Sequence, residues 1–367
     1  MKYQRRFQAG LTLVELLVAM AISLMIMAAA IYVYIASSDS QRVLDRTTAS
    51  NETGAFAMQM LGRAIMNAGF YPAPAPSIPA VLLKNDTEQQ YDITQVGMYD
   101  TYPPIASTKR RTIDWANPAT GWPPVAFQTG IYGCDSAKLK VSDSTCDKPE
   151  DGKPDTLVIN YFTSDAMGGV TGSRFDCTGT DVGKDPSNAE RNKSATGGAL
   201  VDGSPPWLPL FGSNRYTLQD SKAYVGRAQK DTKSLVCSGN GKSPHGSSDS
   251  DAYQSLLSGM EDVQFTYGVY STESTLTPDN FYTATQVNAL GLTPINGQQL
   301  TGWQRVVSVR ACILTKTLQG NTRLGDKKGS EKTYVDCQGV TKQQPPGETY
   351  TRLVQVFGVR NGLKQSY

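Results

Sequence analysis

Histidine is nearly missing from this chain: His245 is the single one in 367 residues, and it lies in a Gly/Ser-rich stretch. Zinc sites need clustered cysteine or histidine ligands. The six cysteines are Cys134, Cys146, Cys177, Cys237, Cys312 and Cys337, and no two of them form a Cys-x-x-Cys pair. No metal site and no cofactor are therefore expected. A Gly-x-Ser-x-Gly nucleophile elbow is absent too, and with one histidine in a loop-like stretch no catalytic residue stands out. An excess of one charge is also lacking, with 35 Lys and Arg against 33 Asp and Glu. Attraction to nucleic acid needs a cationic surface, so no direct nucleic acid binding is expected, and Lys109-Arg110-Arg111 reads as a solvated loop.

Proline and glycine are absent from residues 11–35, and so is every charge except Glu15. Before this run stand ten residues with three basic side chains, Lys2, Arg5 and Arg6, no acid, and a terminal Gly10. A secretory signal has an apolar run of about 7–15 residues, and this run is longer. A membrane helix needs about 20 apolar residues, and the positive-inside rule keeps the basic end cytoplasmic. A plain anchor leaves Glu15 unexplained. An acid in the bilayer core costs roughly 2.5–3.5 kcal/mol on insertion scales, which marks it as a functional candidate.

Gly10 followed by Leu11-Thr-Leu-Val-Glu15 resembles the type III signal of type IV pilins and pseudopilins. The resemblance implies cleavage after Gly10 by a prepilin peptidase and methylation of the new N-terminus at Leu11. The apolar run is then kept as a membrane helix and later as filament core. The family's glutamate falls on Glu15, whose implied role is subunit assembly, by pairing with the terminal ammonium of a neighbour. Loss of the leader takes the formal charge from +2 to about −1, since three basic side chains leave. Two departures stand out: Leu11 replaces the usual Phe, and the kinking proline of major pilins is missing. Since an interior proline costs about 3 kcal/mol in a helix, its absence points to a straighter helix, as suits a minor subunit.

Residues 36–68 contain no proline, and Phe56, Met60, Leu61, Ala64, Ile65 and Ala68 recur at helical spacing. One helix is expected, with a membrane half (11–35) and an amphipathic half (36–69). Thr47, Thr48, Ser50, Asn51 and Gly54 suggest a soft spot over 45–54, and Gly69 with Pro72 supplies the stop. The rest, 70–367, reads as a head outside the membrane. Residues 72–133 are rich in proline and aromatics, including Trp115, Trp122 and Tyr132. Long loops are expected there, with rings covering a core. Acids cluster around 134–155; without EF-hand spacing they read as a solvated loop rather than a calcium site. Residues 163–252 read as loop-rich, with short strands near 199–201 and 234–237. Strands are expected at 156–162, 263–270, 303–314 and 350–361, from runs or alternation of apolar residues. The last three are expected to pair antiparallel and cover the helix.

An even number of dispersed cysteines beyond a membrane segment reads as disulfides in an oxidising compartment. Pairing of sequence neighbours (134–146, 177–237, 312–337) is expected because each closes one loop.

Leu61-Gly-Arg63-Ala-Ile65-Met-Asn-Ala68-Gly69-Phe70, Asp155-Thr-Leu157-Val-Ile-Asn-Tyr161, Val263–Gly268, Val306–Leu314 and Phe357-Gly-Val-Arg360-Asn361 together resemble PilW-type minor pilins. The fold implied is α+β and pilin-like: a long N-terminal helix on an antiparallel β-sheet head with loop insertions. The resemblance implies a minor pilin in a complex that primes pilus assembly and sits at the tip. Implied partners are other minor pilins, the major pilin and a PilY-type tip adhesin, with the inner membrane holding the chain before assembly. The alternatives are a J-like type II secretion pseudopilin and a membrane-anchored periplasmic binding protein.

Overall fold

The computed structural model describes residues 12–70, 126, 129–140, 145–162, 175–182, 211–225, 228–241, 253–271, 277–295, 298–317, 333–345 and 348–360. The expectations for Gly10, Leu11, 109–111, Trp115, Trp122, Asp143, 199–201 and His245 lie outside these residues. The chain divides into two compact units, Met1–Ala49 and Ser50–Tyr367.

Helix α1 runs Leu13–Asn67. Its hydrogen bonding continues through 45–54, so the expected soft spot is not a break: Thr, Ser and Gly lower helix propensity by less than about 1 kcal/mol each, and the segment from Ser50 is held by packing. At the far end the last turn tightens, with Ala68 N–H donating to Ile65 O (3.1 Å) and Phe70 N–H to Asn67 O (3.1 Å). Gly69 then takes φ 70°, the left-handed conformation that closes helices at little cost only for glycine.

The head is one antiparallel sheet. Its strands are β1 (Ile131–Cys134), β2 (Thr156–Phe162), β3 (Phe211–Val225), β4 (Ala228–Gly239), β5 (Gln254–Val269), β6 (Asn280–Tyr282), β9 (Val306–Thr317) and β12 (Thr349–Gly358). They order as β1-β2-β3-β4-β5-β9-β12, with β6 added to β5. A one-turn helix α2 (Ala284–Ala289) and two small hairpins, β7 (Thr293–Ile295) with β8 (Gln298–Leu300) and β10 (Thr333–Val335) with β11 (Thr341–Gln343), complete the described elements. The class is α+β. The three late strands, β5, β9 and β12, are adjacent and antiparallel, and on β5 Val263, Phe265, Tyr267 and Val269 are all buried. Strand β9 begins later than expected, because Trp303–Arg305 forms a 3-10 turn before Val306.

The loop-rich reading of 163–252 needs correction over 211–239, where β3 and β4 pair as a long hairpin. Apolar alternation misses it because its buried side chains are largely polar. Ser213, Asn214, Arg215 and Thr217 are all buried. Three of these side chains have partners: Cys177 N–H donates to Asn214 Oδ1 (3.0 Å), Arg215 Nη2 to Ser238 Oγ (2.8 Å) and Thr217 Oγ1 to Asp155 O (2.9 Å); at Ser213 the backbone N–H donates to Asn240 Oδ1 (3.0 Å) while the buried hydroxyl meets no partner among the described residues. Paired polar groups can be buried without the penalty an orphan carries.

Three disulfides join Cys134 to Cys146, Cys177 to Cys237 and Cys312 to Cys337, with Cα separations of 5.6, 6.3 and 5.7 Å, inside the usual range. The third fastens the β10–β11 hairpin to β9. The second closes the longest loop, with a sequence separation of 60, for which chain entropy predicts about 4 kcal/mol of stabilisation.

Candidate functional site

The first unit presents an apolar surface with one acid at its start. Residues Leu13–Ser38 are long and apolar enough to cross a membrane. Their large apolar side chains are exposed: Leu13 is 75% exposed, Met25 75% and Tyr32 76%. So large an apolar surface requires lipid or other chains around it. At its start Thr12 and Glu15 form a capping box. Glu15 Oε2 accepts from Thr12 N–H (2.9 Å) and from the Thr12 hydroxyl (2.9 Å), while Glu15 N–H donates to Thr12 Oγ1 (3.3 Å). Both bonds to the carboxylate fall on Oε2, and Oε1 accepts none from a described residue. The acid is thus fixed at the helix N-terminus, where the macrodipole favours negative charge, with one oxygen unused by the described residues.

In the second unit the foot of α1 packs on the sheet. Gly54, Ala57, Met58, Leu61, Gly62, Ile65 and Ala68 are buried, at spacings that trace one face. Burying Leu61 and Ile65 completely contributes roughly 1.5–3 kcal/mol each. The glycines let β12 approach: a Cβ on Gly62 would lie 2.4 Å from the Phe357 ring, and one on Gly54 would lie 2.7 Å from Leu353. Ser50 Oγ bonds Thr315 Oγ1 (2.8 Å) across this contact.

The end of the helix is clamped to β2. Gly69 N–H donates to Asn160 O (2.8 Å), Asn160 N–H to Gly130 O (2.8 Å), and Asn160 Nδ2 to Ala126 O (2.8 Å) and Thr129 O (2.7 Å). Gly130 lies against the helix end so tightly that a Cβ there would stand 2.4 Å from Gly69 N and 3.1 Å from the Ala68 carbonyl carbon. Backbone cannot yield as a side-chain tip can. Gly130→Ala is therefore expected to destabilise the head by about 1–3 kcal/mol, read as a lower denaturant midpoint with an unchanged slope. A midpoint equal to that of the parent protein would contradict the clamp.

Asp155, the first residue of the Asp-x-Leu-x-x-x-Tyr segment, is a buried carboxylate that joins three parts of the head. Its Oδ1 accepts from Ser136 N–H (2.7 Å) and its Oδ2 from Phe265 N–H (2.7 Å), while its own N–H donates to Val263 O (3.0 Å). Burial pushes its carboxyl up to about 8, against the pull of the two N–H bonds, with the negative Asp135 and Asp262 nearby adding to the rise. At the other end of the segment Tyr161 donates to Phe175 O (3.1 Å).

Three other acids of 134–155 have separate partners. Asp135 caps α2, accepting from Ala284 N–H (2.7 Å) and Thr285 N–H (2.6 Å). Asp147 pairs with Lys140 (3.6 Å) and Glu150 with Lys153 (2.6 Å). Among the described residues no three His, Cys, Asp or Glu side chains converge as a metal site would need. Tyr132 is buried, in ring contact with Trp303 (4.8 Å), which also meets the edge of Tyr267 (4.8 Å).

Two family models match the chain. The prokaryotic N-terminal methylation motif matches residues 5–31, and Type IV Pilus-assembly protein W matches residues 215–361. The second match begins within β3, runs through the late strands and extends just past β12. No curated protein is matched. Among solved structures, a type IV-like pilin from Thermus thermophilus is similar at 9% identity, over 58% of this chain and 81% of that one, with a TM-score of 0.26.

Proposed function

We propose that this type IV pilin-like chain, with its prepilin methylation motif and PilW domain, is a minor pilin that helps prime pilus assembly and ends at the pilus tip. The observation that carries the reading is the apolar helix Leu13–Ser38, exposed on every side, with Glu15 as its one carboxylate. In this reading, residues 1–10 are removed after Gly10 and Leu11 becomes the methylated N-terminus. Residues 11–35 hold the chain in the inner membrane and then in the filament core. Residues 36–69 carry the head, 70–367, on the periplasmic side and later outside the cell.

Assembly follows from the chemistry of the helix start. An ammonium and a carboxylate are each costly in lipid, and together they attract more strongly than in water. Glu15 Oε1 is free to accept the terminal ammonium of a neighbouring subunit while Oε2 keeps the capping box. The pair sets axial register between helices whose apolar faces otherwise slide freely. Partners are then other minor pilins, the major pilin and a tip adhesin of PilY type, with prepilin peptidase acting first. The protein catalyses no reaction; its work is insertion, lateral packing and extraction into the filament.

The test is the amount of sheared surface pili in a deletion strain, with and without the retraction motor. Priming predicts that pili vanish and partly return when retraction is disabled. Pili unchanged by the deletion would remove the priming role, and a secretion defect in that strain would favour a pseudopilin instead.

A further inference from the structure

Away from the helix, the head carries a cleft of about 270 Å³ between the end of β5, β6, the α2–β7 connection and the 3-10 turn, lined in part by Val269, Asp279, Tyr282, Leu290, Leu292 and Arg305. Arg305 is only 4% exposed. A buried guanidinium is normally matched by a carboxylate. Here it is held by carbonyls alone: Nε donates to Thr301 O (3.3 Å), Nη1 to Tyr270 O (3.3 Å) and Nη2 to Gly291 O (3.4 Å). These are long bonds, and a guanidinium has five N–H donors, so two remain. Among the described residues no acid forms an ion pair with it. Burial lowers its pKa, against the pull of Tyr270, Tyr282 and Asp279.

Asp279 also lines the cleft. Its Oδ2 accepts from Ser271 N–H (2.7 Å) and from the Ser271 hydroxyl, and its Oδ1 accepts from no described residue. Among the described residues the cleft thus offers cationic donors and an anionic acceptor that are not used, and an apolar lining from Val269, Leu290 and Leu292.

We propose that this cleft binds a small carboxylate-bearing ligand with a hydroxyl or amine donor beside the carboxylate, of the size of one sugar ring or one amino acid. The carboxylate takes the free N–H donors of Arg305, the neighbouring donor takes Asp279 Oδ1, and the body lies on the apolar lining. Sugar acids and amino-acid ends share this chemistry. The site is separate from the assembly role and does not depend on it.

The experiment titrates the full-length protein in detergent micelles with glucuronate and with leucine, by calorimetry, alongside glucuronamide and leucinamide. Saturable binding of either acid is expected, at least tenfold weaker for its amide. Glucuronate alone would assign a sugar acid, leucine alone an amino-acid end. Leu292→Asp, at a position already 44% exposed, should preserve the melting temperature and weaken binding at least tenfold by placing a like charge at the rim. Arg305→Lys should keep part of the affinity, having the charge without the fork. Absence of saturable binding by both acids, or amides that bind as well as acids, would overturn the proposal.

Discussion

Glu15→Ala is expected to leave the protein in the inner membrane and to cut its recovery with other minor pilins, and in sheared pili, by at least about tenfold, equivalent to about 1.4 kcal/mol of lost association. Insertion depends on the length and apolarity of Leu13–Ser38, which the change leaves alone or improves. In the proposed assembly, the change removes the one carboxylate of the apolar run 11–35. Alanine also removes the acceptor of the capping box, so Glu15→Gln separates the two effects. Glutamine serves at this capping position and carries no charge. If Gln behaves like Ala, charge pairing is what fails; if Gln behaves like Glu, Glu15 acts as a helix cap and the pairing role falls. Immunoblots of membrane, co-purified and sheared fractions measure all three proteins.

Asp155→Ala is expected to be the most damaging single change in the head. It leaves the buried N–H of Phe265 without its acceptor, at about 1–3 kcal/mol, and removes the acceptor of the half-buried Ser136 N–H as well. The parent protein carries a matching pH dependence. With the folded carboxyl near 8 and a reference near 3.8, the folded state holds a proton that the unfolded chain has released throughout that window. Stability therefore falls as pH rises from about 4 to about 8 and levels off above, the direction linkage requires when the native state binds more protons. Asp262, also raised by burial, acts with the same sign. Denaturant midpoints of parent and Asp155→Asn proteins at pH 5 and pH 8.5 check this: the parent should lose stability between them and the variant much less. Equal pH slopes would refute the buried acid as the source.

How much of this the sequence reveals depends on how far each segment departs from ordinary composition. Residues 11–35 are legible because an unbroken apolar run with one acid admits few readings. Strand β5 is legible because core lies on one face, so that Val263, Phe265, Tyr267 and Val269 alternate, and β9 is legible because it is a near-continuous apolar run, buried on both faces. Of the hairpin β3–β4 only the stretch 234–237, within β4, is legible, since Ser213, Asn214, Arg215 and Thr217 make much of its interior polar. Asp155 sits among surface acids in the sequence; nothing local says that it alone is buried, because the groups that bury it come from 110 residues downstream at Phe265. Helix α2 left a usable signal in Thr283 and Gln286, a capping box, before a segment too short to show periodicity. The Arg305 cleft had none: Arg305 precedes a strand, and only the fold reveals that no acid meets it.

The mass of the protein recovered from sheared surface filaments tests the central claim most directly. Prepilin processing and assembly predict a chain that begins at Leu11, carries one added methyl group, and is present in the filament fraction. A chain that retains residues 1–10, or one confined to the membrane fraction while filaments form normally, would contradict it.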